Sequence, residues 1–194
     1  LADPKLRKFS ISAGHAAFKV NCIQCHGSGA SGSPGYPNLN DDDWIWGGSV
    51  DDIYLSIKHG IRFQGDDDTR VSEMPAFGRD EILETQQIKD IVNHVLVLAG
   101  KSEASESSEK GAPLYQENCA SCHGEAGKGS REFGAPNLVD AISLYGHDYK
   151  KMVSQVSNPK HGVMPGWSTK LSDITIKELA IYVHSLGGGE KSAE

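Results

Sequence analysis

All four cysteines of the chain lie in two copies of one short string, and this placement constrains the fold more than any other feature. Cys22-Ile-Gln-Cys25 runs directly into His26, and Cys119-Ala-Ser-Cys122 runs directly into His123. C-x-x-C-H is the attachment pattern of c-type haem. Two residues between the thiols let both reach the vinyl groups of one porphyrin as thioethers. The adjacent histidine then swings under the ring to the iron. A lone C-x-x-C also fits a zinc half-site or a thioredoxin-like dithiol. A dithiol of that kind sits in a β-α-β pattern, which is missing here, and a four-cysteine zinc site leaves both histidines unexplained. Two covalent haem c groups are therefore expected, on Cys22/Cys25 and on Cys119/Cys122, with His26 and His123 as axial ligands.

The halves repeat beyond these strings. Phe18-Lys-Val-Asn-Cys22 parallels Tyr115-Gln-Glu-Asn-Cys119, and Pro37-Asn-Leu39 parallels Pro136-Asn-Leu138. Lys58-His-Gly60 parallels Lys160-His-Gly162, and Met74-Pro75 parallels Met164-Pro165. Thirteen residues, Ile61 to Glu73, separate His-Gly from Met-Pro in the first half, against Val163 alone in the second. Residues 101–110 are rich in Ser and Glu, with no aromatic or β-branched side chain. That composition reads as a solvated linker. The expected division is 1–100, a linker at 101–110, and 111–194.

The periodicity is helical throughout. Ile88, Ile91, Val92, Val95 and Leu96 form one apolar face over 85–99, and Gly100 supplies the stop. A counterpart starts near Thr175, with Glu178 placed for a capping box and Gly187 as its stop. First helices are expected from about Ser12 and Ala112, and middle helices at 50–58 and 148–157. Strand alternation is absent, so the fold class is all-α. Short helices alone give a thin core in a small domain. A large flat apolar cofactor completes it, so each domain is expected to wrap around its own attached haem.

A histidine-held haem iron takes a second axial ligand or stays open for chemistry. Two of the three methionines sit in the matching Met-Pro dipeptides, Met74 and Met164. A thioether is soft and neutral and raises the iron's potential, and the following proline stiffens the loop. The sequence order pairs His26 with Met74 and His123 with Met164. His59 and His161, matched before glycine, are the rival ligands. Met152 reads as core filler.

The net charge is −7, with basic residues scattered, so the concentrated basic surface that nucleic acid needs is lacking. Residues 1–100 carry 9 basic and 14 acidic side chains, a net of −5. Asp41–Asp43 and Asp66–Asp68 concentrate that charge; they read either as a solvated loop, with a structural role for Asp41–Asp43 beside Trp44 and Trp46, or as charge that steers a basic donor protein towards the first domain. No stretch approaches the ~18 apolar residues of a membrane span, and no secretory leader is visible. The chain, opening on Leu1, reads as a mature or excised piece.

Tyr36-Pro-Asn-Leu-Asn-Asp-Asp-Asp-Trp-Ile-Trp-Gly-Gly48, together with Met74-Pro-Ala-Phe-Gly78, resembles the di-haem subunit III (CcoP or FixP) of cbb3-type cytochrome c oxidases. The resemblance runs from about Gly14 to Gly187. It implies two tandem cytochrome c-like domains and an electron carrier with no catalytic site of its own. It also implies a membrane anchor outside this chain and haems on the periplasmic side. Electrons would enter from the bc(1) complex or a donor cytochrome c. They would leave to the mono-haem subunit and then the haem–copper subunit. In the cytochrome c family a proline carbonyl beyond the haem motif accepts the ligating histidine's other N–H, and Pro37 and Pro136 match that element. Plain loop punctuation is the alternative for both. A freestanding di-haem shuttle resembling cytochrome c(4) is the rival identity. The extra first-half loop and the Asp/Trp run argue against it. A di-haem peroxidase is a third reading, and two Met-Pro motifs argue against the open iron it needs.

Overall fold

The computed structural model describes residues 3–191. Eight helices carry the architecture: α1 (Pro4–Asn21), α2 (Ile23–His26), α3 (Val50–His59), α4 (Thr85–Leu98), α5 (Glu106–Asn118), α6 (Ala120–His123), α7 (Tyr149–Ser157) and α8 (Asp173–His184). Among the described residues only isolated β-bridges accompany them. The all-α expectation holds.

Several helix starts differ from the sequence reading, each for a local reason. α1 begins well before Ser12, because the Asp3 carboxylate accepts from the Lys5 and Leu6 amides and Pro4 stands in the first turn. α5 begins at Glu106, inside the stretch expected to be linker. Ser105 and Ser108 cap each other reciprocally, each hydroxyl accepting from the other's amide. Ser107 Oγ also donates to the buried Asp90 carboxylate at 2.5 Å. These bonds carry the helix back through Pro113, whose ring would otherwise favour a start there. α8 starts at Asp173, and Ser172, not Thr175, is its cap.

The chain forms two compact units that cut across the sequence repeats. Unit one comprises residues up to Val71 together with those from Gly162 onward; unit two is Ser72–His161. Unit one therefore holds α1, α2, α3 and α8, and unit two holds α4, α5, α6 and α7. Each has a helix leading into a C-x-x-C-H motif, a middle helix and a terminal helix. The terminal helix of each unit is drawn from the other repeat. The division expected near residues 100 and 111 falls within unit two.

The cores follow the apolar stripes. Phe18, Ile53, Ile57, Ile176, Leu179, Ala180 and Val183 are buried together in unit one. Phe77, Leu83, Ile88, Ile91, Val95 and Tyr115 are buried together in unit two. Burying side chains of this size contributes ~1.5–3 kcal/mol each. In both units the first helix crosses the terminal helix on a glycine. A Cβ on Gly14 would lie 2.1 Å from the Glu178 carbonyl oxygen, and one on Gly111 would lie 2.0 Å from that of Asp90. Phe18 and Tyr115, one turn further on, fill the space beside each crossing.

Candidate haem sites

Each C-x-x-C-H motif sits on a single turn of helix. His26 N–H bonds to Cys22 C=O at 2.9 Å, and His123 N–H to Cys119 C=O at 2.9 Å. Helical i, i+3 spacing brings the two thiols of each motif to one side. Gly27 and Gly124, with φ of 76° and 77°, end these turns. No disulfide joins the four cysteines; Cys25 and Cys122 are exposed, and Cys22 and Cys119 are half-buried. Burial, reinforced by the neighbouring Cys25 or Cys122, pushes the Cys22 and Cys119 thiols up to about 11.

The histidines are oriented identically. His26 Nδ1–H donates to the Pro37 carbonyl at 3.1 Å, and His123 Nδ1–H donates to the Pro136 carbonyl at 3.1 Å. A carbonyl can only accept, so the proton sits on Nδ1 and Nε2 is left as the lone-pair nitrogen for a metal. Burial holds both imidazoles below their usual protonation range, against the opposing pull of the prolyl carbonyl. Gly32 and Gly129 permit this geometry. Both adopt positive φ, and a Cβ on either would stand 2.3 Å from Tyr36 O or 2.4 Å from Ala135 O. The equal offset of these glycines from their haem motifs was a legible signal that the motif reading passed over.

The methionines are placed crosswise. Met164 packs against the unit-one core beside Cys22 and Ile23. Met74 packs against the unit-two core beside Cys119 and Ala120. Sequence order pairs His26 with Met74; the fold places His26 in the same compact unit as Met164, and His123 in the same unit as Met74. The cause is the exchange of terminal helices. Each Met-Pro loop precedes a terminal helix in sequence and travels with it into the unit of the opposite haem motif.

The rival histidines have other partners. His59 Nδ1 lies 3.0 and 3.1 Å from the two Asp66 carboxylate oxygens. His161 Nε2 accepts the Met74 N–H at 3.1 Å. The unit-one loop is seated by a backbone pair: Ile61 N–H to Met164 O at 2.9 Å and Met164 N–H to Ile61 O at 3.0 Å. Gly60, at φ 74°, admits this, since a Cβ there would be 2.3 Å from Met164 O. The long first-half loop is tied down by Arg70, whose guanidinium donates to Trp46 O, Ser56 Oγ and Asp52 Oδ1 and lies over the Trp46 ring. Neither the Ile61 pairing nor the Arg70 anchor carries a sequence motif.

Two thiols, one Nε2 lone pair and one thioether per unit fit a covalently attached, six-coordinate haem c. Residues 11–99 match the cytochrome c family, and residues 106–183 match the family described as cytochrome c oxidase, cbb3-type, subunit III. The chain is 50% identical over 189 residues to the cbb3-type cytochrome c oxidase subunit CcoP of Cereibacter sphaeroides, across 97% of this chain. It is 52% identical over 190 residues to the subunit FixP of Sinorhizobium medicae, across 98% of this chain. A FixP of Bradyrhizobium diazoefficiens is 45% identical over 189 residues, across 97% of this chain. The chain spans 65% of the length of each of these relatives. Among the described residues no helix is long and apolar enough to cross a membrane.

Proposed function

We propose that this chain, about half identical to CcoP and FixP subunits of cbb3-type cytochrome c oxidases over nearly its whole length, is the di-haem electron carrier of such an oxidase, without a catalytic site of its own. The observation that carries this reading is the closed donor set in each unit. When bound, haem c supplies an iron that alternates between ferrous and ferric states. His26 and Met164 are the proposed axial ligands in unit one, and His123 and Met74 in unit two. Cys22, Cys25, Cys119 and Cys122 supply the thioethers. Pro37 and Pro136 fix the imidazole planes, which limits rearrangement when the iron changes charge. Met164 and Met74 would supply the remaining donors, leaving no position of the kind a peroxidase keeps for substrate, and a thioether donor would favour the reduced state.

In this reading a donor cytochrome c or the bc(1) complex delivers the electron. The mono-haem and haem–copper subunits then receive it. The haem domains stand on the periplasmic side, and a membrane anchor lies outside this chain. The acidic loop of unit one is the proposed landing charge for a basic donor. Asp67 and Asp68 are exposed there, while Asp66 is turned in to His59. The test is spin state and reactivity. Denatured protein should retain two haem masses. The oxidised protein should be wholly low-spin and should not turn over peroxide. A high-spin fraction with peroxide turnover would replace the carrier by an enzyme.

A further inference from the structure

The geometry points to His161 as a positioning residue for Met74, the clamp that fixes one sulfur ligand where the other unit uses backbone. This rests on the proposed ligation of the unit-two haem by Met74. His161 Nε2 accepts the Met74 N–H at 3.1 Å, so its own proton resides on Nδ1. In unit one the corresponding amide, Met164 N–H, is taken by the Ile61 carbonyl within a reciprocal backbone pair. The segment around Met74 enters no such bridge. A cavity of about 310 Å³ opens beside the loop, with Glu73, Pro75, Pro159 and His161 in its wall. The loop therefore has room to move, and the imidazole is the group that holds the ligand's own peptide.

The clamp is itself braced. Gln155 holds the preceding Lys160 peptide through both of its polar groups. Further along the loop, the Gly78 and Arg79 amides both bond to Ser157 O, at 3.1 and 2.9 Å. Those bonds anchor the loop's far end, four and five residues beyond the sulfur ligand's own amide. Removing the acceptor at His161 would leave a part-buried amide unpaired. The loop would relieve this by shifting into the cavity and carrying the thioether off its axis. The His-Gly match between the halves thus hides a divergence. His59 turns to Asp66 and leaves its methionine to the backbone, whereas His161 is spent on the methionine.

The experiment uses the full haem-loaded chain, with ε-methyl proton resonances of reduced protein and a redox titration as readouts. Wild type should show two upfield methionine ε-methyl signals. If it shows only one, the ligation reading fails before the clamp is tested. His161→Leu should lose or shift the Met74 signal, lower the potential of that haem alone, and leave the Met164 signal in place. His161→Gln, which keeps an acceptor at similar reach, should retain both signals and both potentials. Gln155→Ala, which weakens only the brace, should perturb the Met74 signal less than His161→Leu does. Two unshifted signals in His161→Leu, or loss of the Met74 signal in His161→Gln, would overturn the assignment. Should His161→Leu fail to accumulate, the Gln variant decides alone.

Discussion

The substitution Gly14→Ala tests the exchange of helices through a single methyl group. The new Cβ would sit 2.1 Å from Glu178 O, 2.6 Å from Glu178 C and 2.7 Å from Tyr182 Cβ. Two of these are backbone atoms of α8, so no side-chain rotation relieves the overlap. Ordinary contact at 3.4 Å requires α1 and α8 to part by more than 1 Å. The seam between and around them holds Phe18, Ile176, Leu179, Ala180 and Val183, each at most 4% exposed. A gap of 0.5–1 Å forfeits about a quarter to a half of each dispersion contact. Against burial worth ~1.5–3 kcal/mol per large side chain, that loss reaches ~2–4 kcal/mol. Alanine's better helix propensity returns ~1 kcal/mol, and overpacking strain of ~1–3 kcal/mol cancels that gain. The net expectation is a destabilisation of ~2–4 kcal/mol in unit one. Guanidinium unfolding of the haem-loaded protein measures it, followed through the sulfur–iron band and helical circular dichroism. The Met164 ligand should be released before the Met74 ligand. A midpoint equal to wild type, or prior loss of Met74, would refute the packing argument.

Three further outcomes are expected. A fragment of residues 1–100 carrying haem on Cys22 and Cys25 lacks Met164 and α8, so its ferric spectrum should be high-spin, where a self-sufficient first domain would be low-spin. Asp67→Asn with Asp68→Asn should slow reduction by a basic donor cytochrome and flatten its salt dependence in stopped-flow traces, since steering is a long-range charge effect; an unchanged rate and slope removes the landing role. The Asp66 carboxyl feels burial, which raises it, but the His59 hydrogen bond, the Asp68 amide and nearby positive charge bring it below its usual 3.8. A lowered folded value means the loop's contribution is present above about 3.8 and fades as pH falls through the folded value. A carboxyl titration followed by NMR should place it below 3.8, and a midpoint above that contradicts the His59 pairing.

The chemistry of each site was legible because covalent attachment leaves a rigid signature. Cys22, Cys25 and His26 must be adjacent, whatever the rest of the chain does. The Pro-Asn-Leu and Met-Pro strings were legible by repetition. What sequence could not supply was which half serves which haem. Gly14 and Gly111, Phe18 and Tyr115 are interchangeable by pattern, and α4 and α8 present equivalent apolar faces. Two arrangements of the same interfaces therefore satisfy the same periodicities. The choice depends on long-range geometry, and the fold joins α1 to α8 and α4 to α5. The helical start of α5 was hidden for a smaller reason. Ser and Glu read as solvated linker by composition, yet Ser105, Ser107 and Ser108 use their hydroxyls to cap a helix and to pair Asp90. His161 was visible only as a possible ligand, because its true partner is a backbone amide 87 residues away.

The crossed ligation is tested most directly by a crystal structure of the haem-loaded chain, with the iron positions fixed by anomalous scattering. The account predicts Met164 Sδ on the iron of the haem bonded to Cys22 and Cys25, opposite His26 Nε2. It predicts Met74 Sδ on the iron of the haem bonded to Cys119 and Cys122, opposite His123 Nε2. Met74 on the first iron and Met164 on the second would contradict it, as would His59 or His161 on either.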